Sequence, residues 1–403
     1  MKPFIHAHAT HPDWRIACSL VLAQVRGRQA SGAHPDEAPL GLLYVTEPFR
    51  QAARDMLDLL SAELPTVTDW VGNVSAAICA GAAEYWEEPA IALMLCDLDP
   101  RDYRVFSGVA PLALHGGGAT PFRAATALVH ASAEAQDLQD LIAELAARMT
   151  GERVFGGVPS SRHGSGPQFA VSGLGNVAGK GGASGVYEGG VSGVAFSDRV
   201  RLLQRVTQGC RPVSRVHEVT SAERNLLGTL DGERALDVLL RDLQIEGAGL
   251  PTLIAPVRAT LVGLAGSHGA TLKATGDLDE NARVRHIIGV DPTRRALAVA
   301  EQVDEGQRLV FCERSREAAR ADLLRICTEI REDIEAGDAP VGARGALYVS
   351  CSGRGGPHFG GPNAELDLIR HALGEIPLVG FFAGGEIAGQ QLLGYTGVLT
   401  VFA

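Results

Sequence analysis

Three segments of the chain share one layout: a short apolar strand, a helix with one apolar stripe, then an apolar residue and a glycine opening a small-residue loop before another strand. The first reads LGLLYV (40 to 45), FRQAARDMLDLLSAEL (49 to 64), VGNVSAAICAG (71 to 81) and AIALMLCDL (90 to 98). The second reads ATALVHA (125 to 131), AQDLQDLIAELAARM (135 to 149), FGGVPSSRHG (155 to 164) and GVSGVAFS (190 to 197). The third reads GALYVSC (345 to 351), AELDLIRHAL (364 to 373), VGFFAGGEIAG (379 to 389) and TGVLTVFA (396 to 403). Helical spacing of Leu138, Leu141, Ile142 and Leu145 makes a stripe that lies on a sheet. The flanking runs, rich in Val, Leu and Ala, are strands with a face against that stripe.

A weaker fourth copy of strand and helix runs from 308 to 332, after the hairpin-like HIIGVDPTRRALAVAEQV. The layout therefore predicts an α/β (α+β) chain of two related layered domains, with mixed sheets flanked by helices. One domain spans 1–205 and the other 206–403. The stretch 156–190 stands apart, with twelve glycines and hardly any aliphatic run. It is read as a loop, either a mobile cover or a tolerated insert.

At 403 residues, 46% hydrophobic and 21% charged, the composition is that of a folded chain with enough apolar material for two cores. The net charge of −11 repels phosphate backbones and anionic bilayers on average, so neither nucleic acid nor membrane is expected as a partner. The arginine-rich RLLQRVTQGCRPVSR (201 to 215) lacks interleaved aromatics and reads as a solvated edge. The opening MKPFIHAHATHPDW has no apolar h-region and no run is long enough to span a bilayer, which points to the cytoplasm. Seven scattered cysteines without a CxxC read as reduced thiols, mostly in cores.

Several motifs carry possible chemistry. GLGNVAGKGG (173 to 182) has Leu174 and Gly181 where a phosphate loop needs Gly and Ser/Thr, so Lys180 reads as a solvated loop residue. In HAHATH a strand puts His6 and His8 on one face with His11 nearby, either an exposed edge or a metal or haem ligand pair. Cys210 beside Arg211 is either a buried thiol near a salt-bridged arginine or a thiol with a lowered pKa and an anion clamp. Cys351 precedes Arg354 in a loop whose glycines let a ligand approach backbone N–H groups. Glu386, one charge among apolar residues and glycines, needs a partner, and Arg354 is the expected one.

The ordered set QGCRP, LDG, CxGRG, GFFxGGE and YTG, with WVGNVSAAICAGAAEYWEEPAIALMLCDL earlier, resembles the FIST family of paired N- and C-terminal domains. The resemblance spans nearly the whole chain. It implies a sensory module for small ligands such as amino acids; some bacterial relatives carry haem and sense nitric oxide, and eukaryotic relatives fuse it to an F-box. No output segment accompanies it here, so signalling is expected through a separate protein partner.

The reading is a cytoplasmic ligand-binding sensor, with no cofactor expected and haem as the alternative. Its pocket is expected to draw Asn73 and Ser75 from the first glycine loop and Cys210 and Arg211 from the domain junction. The last unit is expected to supply Cys351, Arg354, Phe382, Glu386 and Tyr395. Arg354 and Arg211 would hold an acidic group, Glu386 an ammonium or donor, and Phe382 and Tyr395 the apolar walls. The rivals are an enzyme using Cys351 with His358 as base, and a scaffold that recruits proteins.

Overall fold

The computed structural model describes residues 2–35, 37–112, 122–151, 153–164, 166–173, 184–245, 256–265, 283–336 and 342–403. It has the layered α/β architecture of mixed sheets and helices in two compact units. One unit is Met1–Thr207 with Leu323–Ala403, and the other is Gln208–Asp322. The chain leaves the first unit after Thr207 and returns to it at Leu323.

In the first unit β1 (Ile5–Thr10) and α1 (Trp14–Ala30) precede β2 (Leu40–Thr46), α2 (Ala53–Glu63) and β3 (Asp69–Ser75). The hairpin of β4 (Ala77–Ala80) and β5 (Ala83–Trp86) follows, then β6 (Ala90–Cys96) and β7 (Tyr103–Phe106). Next come β8 (Thr126–Ala131), α3 (Leu138–Ala147) and β9 (Arg153–Pro159). β10 (Gln168–Val171), β11 (Ser184–Tyr187), β12 (Val191–Phe196) and β13 (Leu202–Thr207) complete this part.

The second unit holds β14 (Cys210–Glu223), β15 (Leu226–Leu230), β16 (Glu233–Arg234), α4 (Ala235–Asp242), β17 (Leu261–Leu264), β18 (Arg283–Asp291), β19 (Ala296–Val299) and β20 (Arg308–Arg314). α5 (Arg316–Glu335) leads back to β21 (Gly345–Cys351), α6 (Gly356–Phe359), α7 (Ala364–Leu373), β22 (Leu378–Ala388), β23 (Gln391–Leu393) and β24 (Gly397–Phe402).

Three strand–helix–strand segments share one pairing scheme. β2 and β3, β8 and β9, and β21 and β22 each pair in parallel. A parallel pair needs a crossover, which the intervening helix supplies. The strands that close the segments, β6, β12 and β24, pair antiparallel on the other side of β2, β8 and β21. One glycine recurs in register: Gly72 opposite Leu43, Gly156 opposite Val129 and Gly380 opposite Tyr348. A Cβ at these positions would lie 1.7, 2.0 and 1.8 Å from the partner's carbonyl oxygen.

That close approach corrects the loop reading. VGNVSAAICAG and VGFFAGGEIAG lie mostly in strands, so Asn73, Ser75, Phe382 and Glu386 are strand residues. The stretch 156–190 is likewise not a loop throughout, because it contains the end of β9 together with β10 and β11. β10 buries Phe169 against the helices of the first unit. Residues 174–183, with Lys180, lie outside the described residues.

A six-stranded sheet runs β1-β6-β2-β3-β10-β11. An eleven-stranded sheet runs β13-β24-β21-β22-β9-β8-β12-β7, with β23 and the β4–β5 hairpin attached through β22. One core, with Phe4, Tyr44, Val71, Phe155, Phe196 and Phe381, packs the two sheets on each other. A second core packs α1 and α2 on the outer face of the six-stranded sheet, and a third packs α3 on the other sheet. On α3 the inward line is Ile142 and Ala146, and Leu141 of the expected stripe is 39% exposed.

In the second unit β14 pairs with both β20 and β15, so the path β14-β20-β17-β18-β19-β15 closes into a barrel around Leu227, Leu236, Leu239, Leu297 and Phe311. All its described pairs are antiparallel. β20 and α5 therefore share the strand and helix of the other segments without their parallel pair. No helix among the described residues is long and apolar enough to cross a membrane.

Candidate functional site

Parallel strands end side by side, and in open α/β sheets ligands bind beyond those carboxyl ends. Cys351 ends β21 opposite Ala383 of β22. The loop then folds back: Ser352 N–H donates to Ala383 O at 2.7 Å, and Arg354 N–H to Cys351 O at 2.8 Å. The neighbouring parallel pairs reach the same place. Ser75 Oγ at the end of β3 and Ser160 Oγ after β9 donate to Phe382 O at 2.9 and 2.7 Å.

The β4–β5 hairpin covers this edge. Gly356 N–H and Trp86 Nε1–H donate to Glu84 Oε2 at 2.9 and 3.2 Å, and Glu84 N–H donates to Asn363 Oδ1 at 2.7 Å. The Trp86 ring lies 4.4 Å from that of Phe382. It fits because residue 355 is glycine: a Cβ there would be 2.2 Å from the indole.

Arg354 is buried, and its direct partner is Glu365 rather than the expected Glu386. Arg354 Nε–H and Tyr348 O–H donate to Glu365 Oε1 at 2.9 and 2.6 Å, and Ser350 Oγ donates to Oε2 at 3.0 Å. Glu365 stands in the first turn of α7, where the helix dipole favours an acid. Arg354 Nη1–H donates to Tyr395 O at 3.4 Å, and the guanidinium lies 5.1 Å over the Phe359 ring. Burial alone would lower the arginine's pKa; Glu365 and Tyr348 hold it above its ordinary value. Among the described residues Arg354 Nη2 has no hydrogen-bond partner.

Glu386, fully buried on β22, accepts from Thr396 N–H at 3.1 Å and Thr396 Oγ1–H at 2.7 Å, both on Oε2. Among the described residues its Oε1 has no nitrogen or oxygen partner, and the Cys351 thiol, a weak donor, also hydrogen-bonds the carboxyl. Burial pushes the Glu386 pKa up to about 7, against the pull of Thr396 and Arg354. Burial and then Glu386 push the Cys351 thiol up to about 12. Tyr395 sits at φ 61°, which turns its carbonyl toward Arg354.

Asn73 is fully buried on β3, opposite Tyr44 and Gln168, and among the described residues neither polar atom of its side chain has a partner. Nearby polar groups from both sheets meet: Tyr44 Oη lies 3.2 Å from His130 Nε2, and Ser192 Oγ donates to Gln168 Oε1 at 2.5 Å. Burial pushes His130 down to about 3. Of this cluster only Asn73 was legible in the sequence; Tyr44, His130, Gln168 and Ser192 were not, nor were Glu84, Trp86, Ser160 and Glu365. The recurring strand-end serines, Ser75 and Ser160, were the available signal.

Asn73, Ser75, Cys351, Arg354, Phe382, Glu386 and Tyr395 all belong to the first unit, whereas Cys210 and Arg211 belong to the barrel unit. Cys210 is buried and hydrogen-bonded to Cys312, and Arg211 is exposed and paired with Glu313 at 2.5 Å. Arg205 and Arg215 of the same basic run also pair with acids. His217 of β14 is buried with Nδ1 2.8 Å from Asp231 Oδ2 and Nε2 2.6 Å from Asp242 Oδ2. All seven cysteines are free and buried.

Layered mixed sheets with a polar cluster at the ends of parallel strands define an α/β domain protein. Two family models match it, the FIST N domain over residues 39–233 and the FIST C domain over residues 235–389. The chain belongs to the FIST family, whose domains are generally sensory, small-ligand-binding domains of signal transduction. An uncharacterized protein of Mycobacterium tuberculosis is 28% identical over 414 residues, which is 98% of each chain. One of Mycobacterium bovis is 32% identical over 223 residues, 54% of each.

Proposed function

We propose that this chain is a cytoplasmic sensory protein that binds a small amino-acid-like or acidic metabolite at the ends of β21 and β22 and signals through a separate protein partner. The observation that carries this reading is a buried guanidinium and a buried carboxyl with open hydrogen-bonding capacity among the described residues: Arg354 Nη2 and Glu386 Oε1. Leaving such atoms unpaired costs free energy, which a ligand offering a donor to one and an acceptor to the other would offset. In this reading an ammonium or hydroxyl meets Glu386, an acceptor meets Arg354, and Phe382, Trp86 and Tyr395 are walls. Asn73 and Ser75 line the deeper side, and Cys351 is lining. Entry requires the β4–β5 hairpin or the loop 352–355 to shift, and that movement is the signal offered to a partner. The three parallel segments are, in the same reading, copies of one internal repeat.

The rival in which Cys351 attacks a substrate needs a thiolate, and a thiol pushed up to about 12 holds its proton at neutral pH. Native mass spectrometry of the freshly purified chain, with thermal unfolding in free amino acids and dicarboxylates, tests the reading. A carried-over metabolite is expected, or one probe that raises stability by about 2.7 kcal/mol at a hundred times its Kd. Glu386→Gln should abolish that stabilisation and leave the circular dichroism spectrum intact. No carried-over metabolite and no stabilising probe would overturn the proposal.

A further inference from the structure

A cleft of about 230 Å³ in the first unit is lined by His6, Arg28, His34 and Arg370 on its polar side and by apolar groups including Leu366 and Ile369. The acid lining it, Glu375, is exposed and lies 3.8 Å from Arg370. Arg28 is half-buried, and among the described residues it meets no carboxylate: its hydrogen-bond partner is His6, with Arg28 Nη1 2.6 Å from His6 Nδ1. A guanidinium only donates, so His6 Nδ1 accepts and the ring proton sits on Nε2. Burial, then Arg28, His8 and His34, push His6 down to about 3, which keeps that ring neutral at neutral pH. Nε2 lies beside Gly81, 3.8 Å from where a Cβ would stand, and Gly81 also lines the cleft.

The two donors therefore have fixed roles. A half-buried cation that meets no acid is left partly uncompensated, and here it stands next to a second N–H donor and a patch of aliphatic wall. We infer that this cleft is a binding site for a small organic carboxylate. The carboxylate lies between the Arg28 guanidinium and His6 Nε2–H, and a short aliphatic chain lies on Leu366 and Ile369. Inorganic phosphate shares the negative charge but has nothing to place on the wall. Metal ligation by His6 and His8, the other reading of HAHATH, does not fit: Arg28 occupies His6 Nδ1, Nε2 carries the proton, and His8 Nδ1 is engaged by the Tyr85 hydroxyl.

Isothermal titration calorimetry of the full chain with 4-methylpentanoate tests the inference, with 4-methylpentanamide and inorganic phosphate as comparison probes. The carboxylate is expected to bind at least tenfold more tightly than either, and Arg28→Gln is expected to weaken it at least tenfold. An amide or phosphate that binds as tightly, or an Arg28→Gln chain that binds unchanged, would overturn it. A second readout on the unaltered chain does not depend on the variant folding. In nitrogen NMR the His6 Nε2 resonance should move as 4-methylpentanoate is added, and a resonance that stays still under saturating probe refutes the site.

Discussion

Two clusters of buried charge, one at the end of β21 and one in the barrel, are built on opposite plans. In the barrel, both ring nitrogens of His217 face carboxylates, and Asp231 also accepts from Glu218 N–H at 2.9 Å and Arg215 Nη2–H at 2.9 Å. At β21, Glu365 takes three donors, yet among the described residues Arg354 Nη2 has no hydrogen-bond partner and Glu386 Oε1 no nitrogen or oxygen partner. A closed cluster contributes to holding a fold together. An open one in the same low-dielectric surroundings carries its unpaired polar atoms at a cost, and the proposal that a ligand acts at β21 rests on this difference.

The largest expected effect tests how firmly the β21 cluster depends on Glu365. Glu365→Ala strands the buried Arg354 guanidinium and should cost about 3 to 5 kcal/mol in urea unfolding. A loss below about 1 kcal/mol would mean that Arg354 reaches water and that the cluster is not closed on that side.

Next comes the open side of the same cluster. Glu386 ionises at 4.5 ordinarily but at about 7 when folded, so the folded chain holds a proton that the unfolded chain has lost between those values. Stability is therefore undiminished below pH 4.5, falls as pH rises toward 7 and is level above it. Glu386→Gln keeps an acceptor for Thr396 and cannot ionise. It should stabilise the ligand-free chain by on the order of 3 kcal/mol above pH 7 and by little below pH 4.5. A pH-independent difference in thermal unfolding would remove the comparison's main contrast.

Smaller effects belong to the barrel. His217→Gln cannot bridge Asp231 and Asp242 in the same geometry and should cost about 1 to 3 kcal/mol, read by chemical denaturation. Arg211→Ala removes an exposed pair with Glu313 and should change stability by less than about 1 kcal/mol. Were Arg211 the more costly of the two, the barrel's stability would rest on its surface rather than on its closed cluster.

Much of the fold was legible because the strand–helix–strand layout is written in local periodicity. Runs such as LGLLYV and GALYVSC read directly as β2 and β21, and AELDLIRHAL as α7. The glycine runs were misread because composition alone reports flexibility. Gly72, Gly156 and Gly380 stand in strands, where each makes room for the carbonyl of a neighbour that is distant in sequence. Of the candidate site, Arg354, Glu386 and Cys351 were singled out from charge and sulfur in apolar surroundings. Glu365 was missed because an acid in the first turn of a helix looks ordinary for that position.

The amino-acid sequence by itself determined the strand and helix segments, the apolar faces they bury and the residues able to carry charge into a core, since each of these depends on neighbours a few positions away. Only the tertiary structure decided which charges meet. Arg354 pairs with Glu365 because α7 lays its first turn against β21, and Arg28 meets His6 because α1 packs beside β1. The closure of β14 on both β20 and β15 was settled at the same level. Such pairings are set by how sheets and helices stack, and no local pattern in the chain encodes them.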